Sequence, residues 1–571
     1  MEAEVGRFVA TLEEVAEDVK VIRAQVEERL GRDYAQIFDA HLLILEDVAL
    51  KDPTTQLIRQ ERFSAEYAFW RTFQGVRRQF DAIQDDYFRA RKADILDIEK
   101  RVLAKLCRQE DVLLDRLTTE AVVVAHDLTP SDTAHMHRDC VLGVVTEVGG
   151  TTSHAAIIAR GLEIPAVAGV ESAIASAESG DLAIVDGRRG LVYVNPDAGT
   201  LARYRVEAKR FQEVRKDLSA LKDLPTVTLD GIAVNLQGNI EISEEVDSAL
   251  AYGAEGIGLY RTEYLYLASS SLPTEDEQTE TYTRIARQMA PHPLVIRTLD
   301  LGGDKLSYIL HTSPEMNPFL GWRAIRLSLA NKGFFRTQLR AILRASVTGN
   351  IQIMYPMISG VEELIEANEV LEEAREELRA EGVPFDERCP VGAMIEVPAA
   401  AVVADQLAEE VDFFSIGTND LIQYAIAVDR GNEKVAYLFD PLHPAVLRLI
   451  HNVVEAADRQ GIPVTVCGEM AGDPWFSALL LGLGVDGLSM SPMAIPAVKR
   501  AIRSITMEEA RVLAGTVLSL RSCEEIRNHL QEALPPEVRQ ALPEPLFTEA
   551  VLEEDGPEAR VEADRPGEGR A

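Results

Sequence analysis

From residue 226 to about 540, short strand-like runs alternate with helical stretches eight times, and few folds accept that repeat. The runs are Ala233–Gln237, Gly256–Tyr260, Leu294–Thr298, Ile351–Tyr355, Val391–Ile395, Asp412–Ile416, Pro463–Val466 and Gly487–Met490. Strand–helix alternation marks a sheet whose helices cover it. Eight such units in this length predict a (β/α)8 barrel with insertions, whose reactive side chains sit where strands end and loops begin.

Upstream the period is different. Phe8, Leu12, Val15, Val19, Ile22, Val26 and Leu30 recur every three or four positions among charged residues, an amphipathic helix with a coiled-coil-like stripe. Further apolar helices are expected near Ile37–Val48, Ala65–Phe80 and Ile95–Cys107, so residues 1–118 read as a helical bundle. Near Ala121 the runs AVVVAHDL, CVLGVVTE, IPAVAG, LAIVDG and LVYVNP predict a small α/β domain over 119–198. Residues 199–225 return to a charged helix that ends at Leu224-Pro225 and reads as a linker. The segment 541–571 is rich in Glu, Pro and Gly and is expected to be disordered.

Composition narrows the class of function. A net charge of −35 makes nucleic acid a poor partner and a basic protein a better one. No apolar run reaches the length of a membrane span. The acidic, amphipathic start is neither a signal nor a transit peptide, so a cytoplasmic location is expected. Five cysteines, at 107, 140, 389, 467 and 523, form no CxxC pair, so any that works does so as a thiol.

The strand ends carry the chemistry. Arg261 follows the second run in GIGLYRTE, and Arg297 ends the third in VIRTLDLGGDK. Glu396 ends the fifth in AMIEVP, Asn419 and Asp420 follow the sixth in FFSIGTNDL, and Cys467 ends the seventh in VTVCGEM. One strand-end arginine could pair with a structural carboxylate, and one rim cysteine could be packing. Together they suggest a small, doubly anionic phosphate ester that takes up a proton: arginines fork onto phosphate and carboxylate groups, paired carboxylates suit Mg2+, and a thiol can give up a proton. Outside the barrel, GGTTSHAAIIARGLEIPAVAG places His154 after a glycine turn and before a helix-like stretch, where free N–H groups favour a phosphate on the ring.

GGTTSHAAIIAR and DFFSIGTNDLIQYAIAVDRGN, with GAEGIGLYRTEYL, RTLDLGGDK, NPFLGWRAIR and VCGEMAGD, closely resemble enzyme I of the bacterial phosphoenolpyruvate:sugar phosphotransferase system, from about residue 10 to about 535. The resemblance implies that His154 takes the phosphoryl group of phosphoenolpyruvate, releasing pyruvate, and passes it to the phosphocarrier HPr. It implies Arg261, Arg297, Arg430 and Arg323 on the substrate anions, Asn419 and Asp420 beside them, Glu396 and Asp420 on Mg2+ (or Mn2+), and Cys467 protonating the enolate. It further implies a helical carrier-binding subdomain, a swivelling phosphohistidine domain and a homodimer formed through the barrel. Three features depart from the pattern: the chain opens directly in its first long helix, Thr151 stands where a basic residue is usual, and the acidic tail has no counterpart. Pyruvate phosphate dikinase and phosphoenolpyruvate synthase share the histidine motif and the barrel but need a large nucleotide-binding domain before the histidine. A non-catalytic regulatory relative would be expected to lack some of the rim residues.

Overall fold

The computed structural model describes residues 1–30, 38, 41–81, 97–107, 117, 119–128, 132, 140–148, 159, 164–187, 189–267, 272–302, 315, 317–430, 432, 434–539 and 561–563. The chain divides into two compact units, Met1–Phe211 with Leu552–Ala571, and Gln212–Val551.

The first unit opens with helices α1 (Glu2–Leu30), α2 (Val48–Glu61) and α3 (Ala65–Asp81). Five members of the apolar stripe on α1, from Phe8 to Ile22, are buried, because a 3.6-residue period sets them on one face. They pack with Ile58 of α2, Phe69 and Phe73 of α3, and Ile98, Val102 and Leu106 of the helical stretch at 97–106. The helical reading of 1–118 is interrupted at 62–64, where Arg62 takes a left-handed φ of 58° and lets the chain turn from α2 into α3. Helix α2 is not among the helices expected from the sequence, and Pro53 lies inside it.

Strands β1 (Ala121–Ala125), β2 (Val141–Thr146) and β3 (Ala166–Ala168) form a parallel three-stranded sheet. Strands β4 (Ala183–Asp186) and β5 (Leu191–Val194) pair antiparallel. Val561–Ala563, inside the tail expected to be disordered, forms a short strand that joins β5 in parallel register, Val561 opposite Val192. Helix α4 (Ala198–Ser219) follows β5.

The second unit is a closed barrel of eight parallel strands: β6 (Asn235–Ile240), β7 (Ile257–Arg261), β8 (Leu294–Arg297), β9 (Ile351–Tyr355), β10 (Val391–Ile395), β11 (Phe413–Ile416), β12 (Val464–Val466) and β13 (Gly487–Met490). All eight expected runs are strands. The first begins two residues late, because Val227 and Ala233 form an antiparallel bridge around a turn at Gly231 before the chain enters the barrel. Among the outer helices, α5 (Glu275–Met289) starts with a capping box in which Thr274 and Glu277 satisfy each other's backbone N–H groups. Helix α6 (Lys332–Ala345) packs beside it, and α7 (Thr418–Ile426) follows β11. Ile, Leu, Val and Ala from strands and helices form one continuous buried core. That core leaves the carboxyl ends of the strands as a fixed frame for polar side chains.

Candidate active site

The mouth of the barrel is built by residues that end strands or lie just beyond them. Arg297, the last residue of β8, is 9% exposed. Its Nη2 donates to Glu263 Oε1 at 3.0 Å, and its Nη1 lies 3.0 Å from Asp300 Oδ2. Burial alone would lower the Arg297 pKa, but the charges of Glu263 and Asp300 outweigh it and hold the group above its ordinary value. Its backbone is fixed as well: Thr262 donates to the Arg297 carbonyl at 3.0 Å, and Gln338 of α6 donates to Thr262 at 3.2 Å.

Arg323 sits beside it. Its Nε and Nη2 grip Asp300 Oδ1 at 3.0 and 2.8 Å, and Nη2 reaches Oδ2 at 3.0 Å. The same Nη2 lies 3.6 Å from Asp420 Oδ2, and the guanidinium stands 5.9 Å over the Phe319 ring. Arg261 ends β7 and donates to Glu241 Oε1 at 2.5 Å. Arg430 is exposed, with Nη2 3.9 Å from Asp420 Oδ1.

Two carboxylates lie under these cations. Glu396, one residue past β10, is 2% exposed and accepts from the Met357 N–H at 2.7 Å. Met357 holds a left-handed φ of 58° to present that N–H, a strained geometry of the sort found at functional sites. Gly417 closes over the same carboxylate: a Cβ there would stand 2.7 Å from Glu396 Oε2. Burial, with the charges of Asp420 and Asp300, pushes Glu396 far above the usual carboxylate range, although Arg297 and Arg323 pull it down. Asp420 lies in the first turn of α7 and is buried. Among the described residues no three His, Cys, Asp or Glu side chains are grouped to hold a metal by themselves. Mg2+ commonly takes one or two carboxylates plus water and substrate oxygens, and the oxygens of Glu396 and Asp420 are donors of the type such a cation takes.

Cys467, just past β12, is buried, and burial raises its thiol to about 11. It is therefore a neutral S–H at ordinary pH. Its Sγ lies 3.6 Å from the Ile416 carbonyl, and its own carbonyl accepts from Asn239 Nδ2 at 2.9 Å. Gly468 is needed next, since a Cβ there would collide with Thr418. Asn419 is locked to the same loop: its Nδ2 donates to Glu469 Oε1 at 3.1 Å, and Glu469 N donates back at 2.9 Å.

The barrel thus places Arg297, Arg323, Asp420 and Arg430 in direct ionic reach of one another through Asp300 and Asp420, with the Glu396 carboxylate and the Cys467 thiol within the electrostatic field of that cluster. Arg261 is the register partner of Arg297 across β7 and β8, and its charge acts on the Cys467 thiol. Asn419 belongs to the Glu469 loop. His154 and Thr151 lie outside the described residues. The sequence reading missed Glu241, Glu263, Asp300 and Glu469. Glu263, Asp300 and Glu469 sit inside quoted motifs and Glu241 outside them, but nothing in one sequence says which cation a carboxylate will meet.

Three family models match: "PEP-utilising enzyme, N-terminal" over residues 1–91, "PEP-utilising enzyme, mobile domain" over 117–190, and "PEP-utilising enzyme, PEP-binding domain" over 215–507. Proteins named phosphoenolpyruvate-protein phosphotransferase match along most of their length. That of Bacillus sp. (strain S) is 49% identical over 92% of this chain and 91% of its own. That of Geobacillus stearothermophilus is 49% identical over the same shares. That of Bacillus subtilis (strain 168) is 44% identical over 93% of both chains.

Proposed function

Because this chain belongs to the phosphoenolpyruvate-utilising enzymes, and among them to the phosphoenolpyruvate-protein phosphotransferases, we propose that it moves the phosphoryl group of phosphoenolpyruvate to His154 and then to a histidine of HPr. It is an enzyme of phosphoenolpyruvate-dependent phosphotransfer in the sugar phosphotransferase system. The observation that carries the residue roles is the barrel mouth itself. There, buried Arg297 and half-buried Arg323 stand with a neutral thiol and two acidic groups at strand ends.

In this reading Arg297, Arg323, Arg261 and Arg430 bind and orient the phosphate and carboxylate of the substrate, with Asn419 beside them. His154 attacks phosphorus, the bond from phosphorus to the enol oxygen breaks, and the enolate of pyruvate remains. The Cys467 thiol gives its proton to C3 of that enolate, and the thiolate regains a proton from water. Its raised pKa suits a group that must hold a proton until the carbanion forms. Glu396 and Asp420 would hold Mg2+, or Mn2+, which when bound neutralises phosphate charge during in-line transfer. With the phosphoryl group on the histidine, the same residue must meet the carrier, so the segment bearing it has to move between two partners. The helical region of the first unit would receive HPr, α4 would serve as the arm, and the barrel would pair the protomers. No helix among the described residues is long and apolar enough to cross a membrane, in keeping with work in the cytoplasm.

The test is to incubate the chain with 32P-phosphoenolpyruvate and Mg2+. We expect an acid-labile, alkali-stable label that moves to added HPr, and none in His154→Ala. Labelling and transfer that survive in the variant would sink the mechanism.

A further inference from the structure

We propose that Asp300 is a positioning residue for the phosphoenolpyruvate half of the reaction, fixing Arg297 and Arg323 as one rigid anion-binding pair. This rests on the reading of the barrel mouth as the substrate site.

Three observations carry it. Asp300 is 8% exposed and stands between two guanidinium groups. Its Oδ1 and Oδ2 accept from Arg323 at 2.8–3.0 Å, and Oδ2 is 3.0 Å from Arg297 Nη1. Second, Asp300 is itself held: its backbone N–H donates to Glu263 Oε1 at 2.8 Å, the oxygen that takes Arg297 Nη2. Third, the main chain is pinned on both sides. Gly302 and Arg323 form an isolated antiparallel bridge, and the Ala324 N–H donates to the Leu301 carbonyl at 3.2 Å, with Ala324 in a left-handed φ of 52°.

The chemistry follows from donor arithmetic. A guanidinium offers five N–H donors in a fixed fork. Asp300 occupies the Nε and Nη2 edge of Arg323, and among the described residues its Nη1 donates to the Tyr424 hydroxyl alone, at 3.5 Å. Asp300 and Glu263 occupy Nη1 and Nη2 of Arg297, whose buried Nε has no hydrogen-bond partner. Two cations this close, one buried and one half-buried, would repel and swing apart without a shared anion between them. Asp300 removes that repulsion before substrate arrives, so the donors left over are already aimed, and binding does not have to order them.

The experiment compares Asp300→Asn and Asp300→Glu with the unaltered chain in two separate half-reactions. One is pyruvate release from phosphoenolpyruvate with Mg2+; the other is transfer from the phosphorylated chain to HPr. Asp300→Asn keeps the shape and loses the charge, while Asp300→Glu keeps the charge and moves it by one methylene. We expect both to raise the phosphoenolpyruvate KM on the order of 10- to 100-fold, while transfer to HPr keeps its rate. A KM within threefold of the unaltered chain in Asp300→Glu overturns the proposal, because charge balance without placement is then sufficient. Equal losses in both half-reactions also overturn it, since they signal a general structural role. Should Asp300→Asn fail to fold by circular dichroism, the Asp300→Glu arm decides alone. If the unaltered chain itself takes no label from phosphoenolpyruvate, the functional reading has failed rather than this one.

Discussion

At the residue scale, Glu396 shows how one buried carboxyl couples stability to its ligand. Its ordinary value of 4.5 is pushed up to about 8, by burial first and then by the charges of Asp420 and Asp300. A folded-state value above the unfolded one means that the protonated form is the favoured guest. The stability it contributes is therefore complete below about pH 4.5 and is lost as pH rises toward about 8. Glu396→Gln mimics the protonated form and keeps an oxygen for the Met357 N–H. In the metal-free chain, its melting temperature should match that of the unaltered protein near pH 5 and exceed it by a few degrees near pH 9, an effect of about 1 kcal/mol or more. Added Mg2+ should erase or reverse the gap, because a divalent cation favours the ionised carboxylate. Scanning calorimetry at pH 5, 7 and 9, with chelator and with Mg2+, checks this. A gap that does not change with pH would remove Glu396 from the cluster's electrostatics.

At the element scale, the segment just past α4, at Lys222–Pro225, is gripped by the barrel. Helix α8 (Ile495–Ile502) buries Lys499, whose Nζ donates to the carbonyls of Lys222 and Leu224 at 3.0 Å each. Arg503 donates to the Pro225 carbonyl at 2.5 Å, and Gly253, with φ +83°, lets the Lys222 carbonyl approach closely. Lys499→Met keeps the stem and removes both bonds. It should cost roughly 1–3 kcal/mol, read as a lower melting temperature of the barrel unit and faster tryptic cleavage at Lys222. Unchanged cleavage would mean that the grip is incidental. The alternation that announced all eight barrel strands was legible because strands buried beneath helices must be apolar and short. The α1 stripe was legible for the matching reason at period 3.6. What escaped were places where one residue overrides the pattern: Pro53 tolerated inside α2, the Arg62 turn, and the bridge that delays β6. The site was legible as a set of cations, carboxylates and a thiol at strand ends, yet Asp300 was not, because its role exists only once residues 297, 300 and 323 meet.

At the scale of the whole molecule, the proposed chemistry is divided. His154 belongs to the unit Met1–Phe211, while the arginines, the acidic pair and Cys467 belong to the unit Gln212–Val551. Each unit has its own buried cores: helical and sheet clusters in the first, a large barrel core with two smaller clusters in the second. Cores that share no residues can melt separately, and a ligand stabilises only the unit that binds it, by RT ln(1 + [L]/Kd). Calorimetry of His154→Ala, which cannot turn substrate over, should therefore show two transitions. Phosphoenolpyruvate with Mg2+ at about 100 times its Kd should add about 2.7 kcal/mol to one of them, raising it by roughly 4 °C, because a unit of this size unfolds with an entropy of about 0.7 kcal/mol/K. The other transition should stay in place. The shifted transition is identified as the barrel by adding Lys499→Met, which lowers that one alone. If both transitions moved together, the two units would be acting as a single cooperative body, and a histidine that commutes between substrate and carrier would first have to break that coupling.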